Sequence, residues 1–388
     1  MLDVLSIANY RSLLSLAIPL GRLNVITGAN GSGKSNLYRA LRLLSSTATE
    51  GIVGAVAREG GLESTFWAGP NELSRQMQSG AVPIKGTPSN KPKRLQLGFV
   101  AAKLGYSISL GLPTPVPGTE FFLDPEIKRE SVWAGGTYNP AGAILERHSG
   151  SVKVRTGTKW EVLGSKQTQN ESILSSHAIS AAALGVAELS SAIRGWRFYD
   201  HFRTDRDAPA RRSQVGTRTT VLHHDGRDLA AALQTIIEIG HREALATVIR
   251  DAFPGASLAI FISDDRQFSI GLKQYGLLRP LLAQELSEGT LLYLLWVAAL
   301  LTPRPPSLMV LNEPETSLHA DLLPALARLI GIASTNSQIW VISHSQLLIS
   351  ELARQQSCNL VALEKELGQT SVKGVSSLEQ PAWRWPSP

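Results

Sequence analysis

Residues 28–35 decide the fold, and they read Gly-Ala-Asn-Gly-Ser-Gly-Lys-Ser. This stretch fits the P-loop pattern G-x-x-x-x-G-K-[ST] at every required position. In a P-loop, backbone N–H groups of the loop and of the following helix surround the phosphates of a nucleotide. Lys34 would reach the β- and γ-phosphates, and the Ser35 hydroxyl would ligate Mg²⁺. The alternative is a glycine-rich turn with an incidental lysine.

The flanking sequence favours the P-loop. Residues 23–27 form an apolar run typical of a strand, and helical periodicity follows from residue 34 to about residue 44. A P-loop needs this order of strand, loop and helix, so the sequence predicts a nucleotide site. The opening residues 2–8 alternate well enough to predict another strand.

The middle of the chain mixes hairpin and helix signals. Between residues 47 and 168 the helical signal is weak, and hairpins are predicted at residues 95–110 and 152–162. Helical periodicity returns over residues 171–194 and 225–253, with Asp225 as the N-cap of the second stretch. Residues 257–272 predict one more hairpin around Asp264-Asp265.

The C-terminal part alternates between helices and strands. Helices are predicted at residues 287–301, 318–334 and 345–353, and strands at residues 308–311, 338–342 and 359–364. Short apolar strands that alternate with helices favour a parallel sheet covered on both faces. The proline-rich end at residues 381–388 predicts a loose tail.

Composition excludes several classes of protein. The chain has 388 residues, of which 43% are hydrophobic and 18% are charged, with a formal net charge of +6. Its one cysteine, Cys358, rules out an intramolecular disulfide framework. The longest strongly apolar run, residues 291–301, is much shorter than the ~20 residues of a membrane-spanning helix. We therefore expect a soluble cytoplasmic protein without a membrane partner.

A second motif follows the P-loop at the expected place. Residues 308–313 read Leu-Met-Val-Leu-Asn-Glu, an apolar strand that ends in two polar residues, as a Walker B segment does. Glu313 is a candidate general base for an attacking water, although an acidic helix cap is the alternative. Asn312 stands where Asp is usual, and an amide brings no charge to a Mg²⁺ shell. Weaker Mg²⁺ binding or slow hydrolysis is therefore expected.

Three further segments complete a resemblance to ABC-type ATPases. These are Leu286-Ser287-Glu288-Gly289, like the LSxG signature; Ser317-Leu318-His319, at the D-loop position; and Ile342-Ser343-His344-Ser345, at the switch-histidine position. The sequence of residues 312–319, Asn-Glu-Pro-Glu-Thr-Ser-Leu-His, resembles that of the RecF-like branch of AAA/ABC-type ATPases, which is related to SMC and RecF heads. The opening Asn9-Tyr10-Arg11-Ser12 is similar to the N-F-R-S element of those heads.

The resemblance implies an α/β fold. We expect a P-loop NTPase of the ABC-ATPase-head type, with a β-rich N-terminal subdomain and a mixed helical and β insertion. The expected single head, residues 1–388, divides into an ATP-binding lobe at residues 1–70, an insertion at residues 71–274 and a C-terminal lobe at residues 275–388. The cofactors it implies are ATP and Mg²⁺.

The resemblance also assigns roles to residues. Lys34, Glu313 and His344 would be catalytic, with His344 sensing the γ-phosphate, and Ser35 and Asn312 would serve the metal. The nucleotide contacts would be Asn30, Gly31, Ser32, Gly33, Lys34, Ser35, Asn36, Arg11, Ser287 and Gly289. Ser287 is also an excellent helix N-cap, His344 could be structural, and Arg11 could be an ordinary surface arginine. Gln76, Gln78 and Gln96 are all candidates for the Q-loop glutamine.

A basic segment at residues 194–227 suggests a nucleic-acid partner. Eight arginines are interleaved with Trp196, Phe198, Tyr199 and Phe202, a composition that suits phosphate and base contacts. Aspartates in or beside the same segment make internal ion pairs the rival interpretation. A second basic cluster of Lys85, Lys91, Lys93 and Arg94 predicts only a solvated loop.

The leading hypothesis is an ATP-binding and ATP-hydrolysing RecF-like head that forms an ATP-dependent homodimer. It would act on DNA in double-strand break repair or related DNA metabolism, with a repair protein as partner. The alternative is a regulatory or anti-phage-defence ATP sensor that gates a separate effector, which Asn312 favours. A transporter ATPase subunit is less favoured, because the interval from Ser35 to Leu286 is long and Thr290 follows the signature.

Overall fold

A computed structural model describes residues 1–49, 51–70, 77, 93–114, 117–118, 120–121, 123–163, 170–176, 184–355, 357–376 and 378–386. The chain forms two compact units, each discontinuous in sequence. The first unit comprises Met1–Leu20, Gly28–Gly195 and Val361–Pro388, and the second comprises Gly21–Thr27 and Trp196–Leu360. The expected divisions at residues 70 and 274 stay a prediction.

The elements alternate between strands and helices in the second half of the chain. The strands are β1 (Leu2–Tyr10), β2 (Leu13–Pro19), β3 (Leu23–Gly28), β4 (Leu95–Ala101), β5 (Leu104–Gly111), β6 (Glu126–Ala134), β7 (Ala143–His148), β8 (Ser151–Thr156), β9 (Lys159–Val162), β10 (Arg197–Tyr199), β11 (Gln214–Val215), β12 (Ser257–Ile262), β13 (Gln267–Lys273), β14 (Leu281–Leu282), β15 (Leu308–Asn312), β16 (Gln338–Ile342), β17 (Cys358–Glu366) and β18 (Gln369–Val372). The helices are α1 (Lys34–Ser46), α2 (Ile52–Arg58), α3 (Leu62–Thr65), α4 (Leu184–Arg194), α5 (Leu229–Ile239), α6 (Arg242–Ala252), α7 (Glu288–Leu300), α8 (Leu323–Ser334) and α9 (Gln346–Ala353).

The first unit is built on an eight-stranded antiparallel sheet, in the order β2-β1-β4-β5-β6-β7-β8-β9. Consecutive residues are buried in its strands, such as Leu5, Ser6 and Ile7 on β1, so both faces of this part of the sheet are covered. The predicted opening strand and the hairpins at residues 95–110 and 152–162 are confirmed as β1, β4–β5 and β8–β9.

A buried polar cluster ties a turn to this sheet. Glu130 is fully buried and accepts hydrogen bonds from the Tyr106 hydroxyl at 2.6 Å and the Ile173 backbone N–H at 3.0 Å. Burial raises the pKa of Glu130. Residues 170–176 therefore form turns, and the prediction of a helix from residue 171 is wrong there, because these N–H groups bond side chains. Helix α4 is described from Leu184 to Arg194, and residues 177–183 of the predicted helix lie outside the described residues.

The second unit is built on parallel strands, as predicted, with β10, β15, β16 and β3 adjacent in that order. All residues of α7 from Leu291 to Leu300 are buried, so the long apolar run in the sequence belongs to a core helix. Across the residues that the structure describes, no helix is both long and apolar enough to cross a membrane. The predicted hairpin at residues 257–272 is confirmed as β12–β13.

Three helix boundaries differ from the predictions. The stretch at residues 225–253 is two helices, α5 and α6, separated at Gly240. Helix α5 begins after Asp228, because the Asp225 carboxylate closes the preceding turn by accepting from the Arg227 N–H at 3.1 Å. Helix α8 begins at Leu323, where Pro324 in the first turn fixes a helical φ, and a 3₁₀ turn precedes it.

The C-terminal segment is packed against the first unit's sheet, so the prediction of a loose tail is wrong for its described part. The Trp383 ring lies edge-on to Trp133, with centroids 5.8 Å apart. A Cβ added at Gly98 would approach the Trp383 ring to 2.5 Å. Gly98 therefore provides the space that the indole fills.

Candidate functional site

The predicted site residues fall into two groups, one in each compact unit. The loop at residues 28–35 links the end of β3 to α1. Gly33 has a φ of 109°, and a Cβ there would lie 2.1 Å from the Thr370 Oγ1. At Gly28 a Cβ would lie 2.3 Å from the Leu363 backbone oxygen. These two glycines are thus required by both conformation and space.

Thr370 on β18 supports the loop, and the sequence reasoning missed it. Its hydroxyl donates to the Ser32 backbone oxygen at 2.8 Å and lies 2.7 Å from the Ser12 Oγ. The Asn36 amide donates to the same Ser12 hydroxyl at 2.8 Å. Asn36, expected to contact nucleotide, therefore connects α1 to the strand pair β1–β2. Only the three-dimensional structure brings residues this far apart in sequence together.

The loop has the donors that a polyphosphate requires. The Lys34 ammonium donates to the backbone oxygens of Gly28 at 2.6 Å and Ala29 at 2.9 Å. Helix α1 has no side-chain cap at Gly33 and no acidic residue in its first turn, so no side chain of that turn repels an anion at its N-terminus. Among the residues that the structure describes, the buried Ser32 hydroxyl has no hydrogen-bond partner, and Ser35 is exposed. These residues fit a nucleotide phosphate with Ser35 as a hydroxyl ligand for a metal.

Residues 30 and 31 lie at the outer edge of the same loop. Asn30 and Gly31 are exposed, and Gly31 has a φ of 79° with no atom of the described part of the chain within 4 Å of an added Cβ. The loop is therefore open on this side. This is where phosphate could approach the backbone N–H groups.

Arg11 is held by an acidic partner. Its guanidinium donates to the Glu59 carboxylate at 2.6 Å and to the Glu59 backbone oxygen at 3.0 Å. The Tyr10 hydroxyl donates to the same carboxylate at 3.2 Å, and burial raises the pKa of Tyr10 to about 12. The structure thus pairs Arg11 with Glu59, the residue that follows α2, and the expected contact of Arg11 with nucleotide stays a prediction.

The second group stands at the carboxyl ends of β15 and β16. Asn312 ends β15 and pairs in register with Ile342 at the end of β16. The next residue, Glu313, has a φ of 51° and donates its N–H to the Ile342 oxygen at 2.8 Å. A left-handed backbone at a glutamate is strained, and such strain clusters at functional sites. The turn directs the Glu313 side chain towards His344.

Glu313 and His344 form the central pair of this group. The His344 Nε2 lies 3.1 Å from the Glu313 Oε1, and their side chains are 40% and 45% exposed. A carboxylate that is open to solvent and oriented by an imidazole can accept a proton from water. Glu315, which was not predicted as a site residue, accepts hydrogen bonds from the switch loop at the Ser343 hydroxyl and the His344 N–H.

The signature segment starts helix α7. The Ser287 hydroxyl accepts from the Thr290 N–H at 3.2 Å, so the predicted N-cap is confirmed. Ser287 is exposed, and a Cβ at Gly289 would lie 3.4 Å from the Ser317 oxygen. Further along α7, the Trp296 indole donates to the Pro314 oxygen at 3.1 Å. Helix α7 is therefore linked to the turn that carries Glu313.

The basic segment is largely committed to internal contacts. Trp196, Tyr199 and Phe202 are buried in the second unit, so these rings cannot stack on bases. Arg203 pairs with Asp205 at 2.9 Å, and Arg211 is buried against backbone oxygens. The interpretation as internal ion pairs is favoured.

Several predicted residues remain unassigned. Gln76, Gln78, Lys85 and Lys91 lie outside the described residues, and Gln96 is on β4. His223, His224 and Asp225 form a cluster of possible metal ligands within 4.8 Å of one another. The Arg227 guanidinium lies 3.0 Å from the His223 Nε2 and 3.9 Å from the Asp225 carboxylate, so the positive charge of Arg227 already lies beside these candidate ligands.

Comparisons with known proteins identify the family. The sequence model of the family described as "AAA domain, putative AbiEii toxin, Type IV TA system" matches residues 23–350. No curated protein matches the sequence. An SMC head bound to the C-terminal winged-helix domain of ScpA has 14% identity and a TM-score of 0.49, with 97% of this chain and 99% of that chain covered.

The SMC head domain from Thermotoga maritima has 14% identity and a TM-score of 0.44, with 97% of this chain and 99% of that chain covered. The family match covers most of the chain, including the P-loop, the signature and the switch histidine. The expected fold class and the resemblance drawn from the motifs are confirmed. The chain therefore belongs to this AAA-domain family.

Proposed function

We propose that the chain binds ATP with Mg²⁺ and hydrolyses the bond between the β- and γ-phosphates, which gives ADP and phosphate. The observation that carries this proposal is the arrangement of strand ends in the second unit. Strands β15, β16 and β3 are parallel neighbours, so their carboxyl ends share one edge of the sheet. Glu313 follows the first, His344 follows the second, and the P-loop follows the third. Ligands of open parallel sheets bind at this edge.

Each residue then has a chemical role. Lys34 neutralises charge on the phosphates, and the loop N–H groups orient them for in-line attack. Ser35 and Asn312 would hold the Mg²⁺, which would offset the charge that develops on the phosphate oxygens. Glu313 accepts the proton of the attacking water, and His344 orients that carboxylate at 3.1 Å. Because Asn312 adds no charge to the metal shell, the expected turnover is slow.

The proposal includes an ATP-dependent homodimer. Ser287 is exposed at the start of α7, so its hydroxyl and the N-terminal N–H groups can face a second molecule. As the resemblance implies, Ser287 and Gly289 of one copy would contact the γ-phosphate held by the other copy. DNA and a repair protein are the proposed partners of that dimer, and this part rests on the resemblance.

A sensor is the second candidate function. Asn312 favours a sensor, because slow hydrolysis would keep the protein in its ATP-bound form for longer. The family description also names a toxin of a type IV toxin–antitoxin system, which suits regulation of a separate effector. In this version ATP binding and dimerisation persist, while turnover is negligible and indifferent to DNA.

Light scattering of the Glu313→Gln protein with saturating ATP tests the dimer. We expect a dimer with ATP and a monomer without it. Adding Ser287→Arg should abolish the dimer, since a charged side chain would meet the partner's loop. Asn336→Arg is the matched control, because exposed Asn336 precedes β16 at the opposite edge of the sheet. A Glu313→Gln protein that binds ATP and stays monomeric contradicts the dimer.

A further inference from the structure

Glu315 makes an unusual set of contacts with the switch loop. Its Oε1 accepts a hydrogen bond from the Ser343 hydroxyl at 2.6 Å. The same oxygen accepts from the backbone N–H groups of His344 at 2.9 Å and Ser345 at 3.1 Å. Three donors from consecutive residues therefore converge on one carboxylate oxygen. Hydrogen bonds to a charged acceptor are stronger than those between neutral groups.

The surroundings of Glu315 suit a fixed negative charge. Its Oε2 is buried without a hydrogen-bond partner among the described residues. Ser345 is the N-cap of α9, so the carboxylate lies beside the positive end of that helix dipole. Placing a carboxylate here has a desolvation cost that only its contacts offset. Within the described part of the chain, the hydrogen bonds of this carboxylate are with the loop that carries His344.

The switch loop is thereby fixed from two directions. On one side, the Ser343 N–H donates to the Ile26 oxygen of β3 at 3.2 Å. On the other side, Glu315 holds the next two N–H groups. The backbone of His344 is hydrogen-bonded between these anchors, and its imidazole lies 3.1 Å from the Glu313 carboxylate. Two acids of one turn, Glu313 and Glu315, thus bind the side chain and the backbone of the same histidine.

We propose that Glu315 is a positioning residue for hydrolysis: it sets the backbone of His344 and, through His344, the orientation of the Glu313 carboxylate. This inference rests on the proposed ATP hydrolysis, and it adds a residue that the motifs do not assign. Glu315 acts on the water-activating pair and not on the phosphate-binding loop. Its loss should therefore lower turnover without weakening ATP binding.

The test compares Glu315→Ala with Glu315→Gln. The Gln side chain keeps an acceptor oxygen for the three donors, whereas Ala removes it. For Glu315→Ala we expect kcat to fall about 10- to 100-fold, as misplaced catalytic groups do. The Kd for ATP should stay within about twofold, because the transition state and not the ground state loses an interaction. Glu315→Gln should restore kcat to within about fivefold of the wild type.

A double-mutant cycle separates positioning from folding. If Glu315 acts through His344, then Glu315→Ala should lower kcat in the wild type and have little further effect in His344→Ala. If Glu315 only stabilises the fold, the factors by which Glu315→Ala and His344→Ala lower kcat should multiply in the double variant. Amide hydrogen exchange of the peptide covering residues 338–349, measured without ATP, gives a readout independent of hydrolysis. We expect exchange about tenfold faster in Glu315→Ala than in Glu315→Gln.

Each outcome has a defined meaning. Unchanged exchange in Glu315→Ala overturns the inference, as does wild-type kcat with faster exchange, or losses that multiply in the cycle. A fall in ATP affinity equal to the fall in kcat also overturns it, because the effect would then be on binding. Wild-type protein that binds ATP without turnover contradicts the proposed hydrolysis and, with it, the role of Glu315 in catalysis. Hydrogen exchange would then test only whether Glu315 holds the backbone of residues 343–345.

Discussion

Arg211 holds the segment that leads into the signature, and its removal should loosen that segment. Arg211 is 6% exposed and is surrounded by backbone oxygens. Its guanidinium donates to Thr204 at 2.8 Å and Asp205 at 3.0 Å on one side. On the other side it donates to Ala283 at 2.6 Å and Leu286 at 2.8 Å. One side chain therefore joins two segments that are distant in sequence.

The size of the effect follows from these contacts. Hydrogen bonds of a charged donor contribute about 1.5–3 kcal/mol each. Truncation lets some of the freed carbonyls regain water, and neighbouring bonds are not additive. We therefore expect Arg211→Ala to lower the local free energy of opening by about 4 kcal/mol, of the size seen when a buried network is broken. That change corresponds to roughly a thousandfold faster exchange.

Hydrogen exchange of the peptide covering residues 281–291 measures this change. Arg212→Ala is the matched control, because Arg212 is adjacent and exposed, and its effect should stay within about 0.5 kcal/mol. Arg211→Lys should be intermediate, since an ammonium keeps the charge but cannot span both segments as a planar fork does. Equal exchange in Arg211→Ala and Arg212→Ala would show that Arg211 does not hold this segment.

Two further predictions concern the P-loop and the loop before the signature. Gly33→Ala should weaken ATP binding by at least about tenfold and by more than Gly31→Ala, because both residues have positive φ but only Gly33 lacks space for a Cβ; equal losses measured by titration calorimetry would contradict this. The Arg279 hydrogen bonds, followed by that of the Leu282 N–H, lower the pKa of Glu285 from 4.5 to about 2. Glu285 therefore stabilises the fold above pH 4.5, and the difference in urea midpoint between wild type and Glu285→Gln should shrink as the pH falls towards 2; a difference independent of pH would contradict this.

Local patterns predicted much of the fold. Strand β1, the hairpins β4–β5, β8–β9 and β12–β13, and the parallel strands of the second unit all follow from periodicity and turn residues. The Ser287 N-cap was also predictable, since it depends on a hydrogen bond to the near N–H of Thr290. Helix boundaries were less predictable. Asp225 competes for the helix start by closing a local turn, and no spacing rule decides that competition.

Polar contacts between residues far apart in the chain could not be predicted from the sequence. Thr370 supports the loop at Ser32, and Arg211 supports Leu286, across wide sequence separations. Glu315 stands beside a recognised motif, yet its partners become known only when β15 and β16 are adjacent. Trp383 lies in a proline-rich segment that has no core pattern, although it packs on Trp133. Such contacts depend on which strands are neighbours.

Steady-state ATP hydrolysis by the wild-type protein, beside Lys34→Ala and Glu313→Gln, is the most direct test of the proposed ATPase activity. It should be measured with and without double-stranded DNA. We expect slow turnover that falls at least about 100-fold in either variant, because each removes a group that acts on the transition state. ATP binding with no turnover, unchanged by DNA or by Glu313→Gln, would contradict the account and favour the sensor.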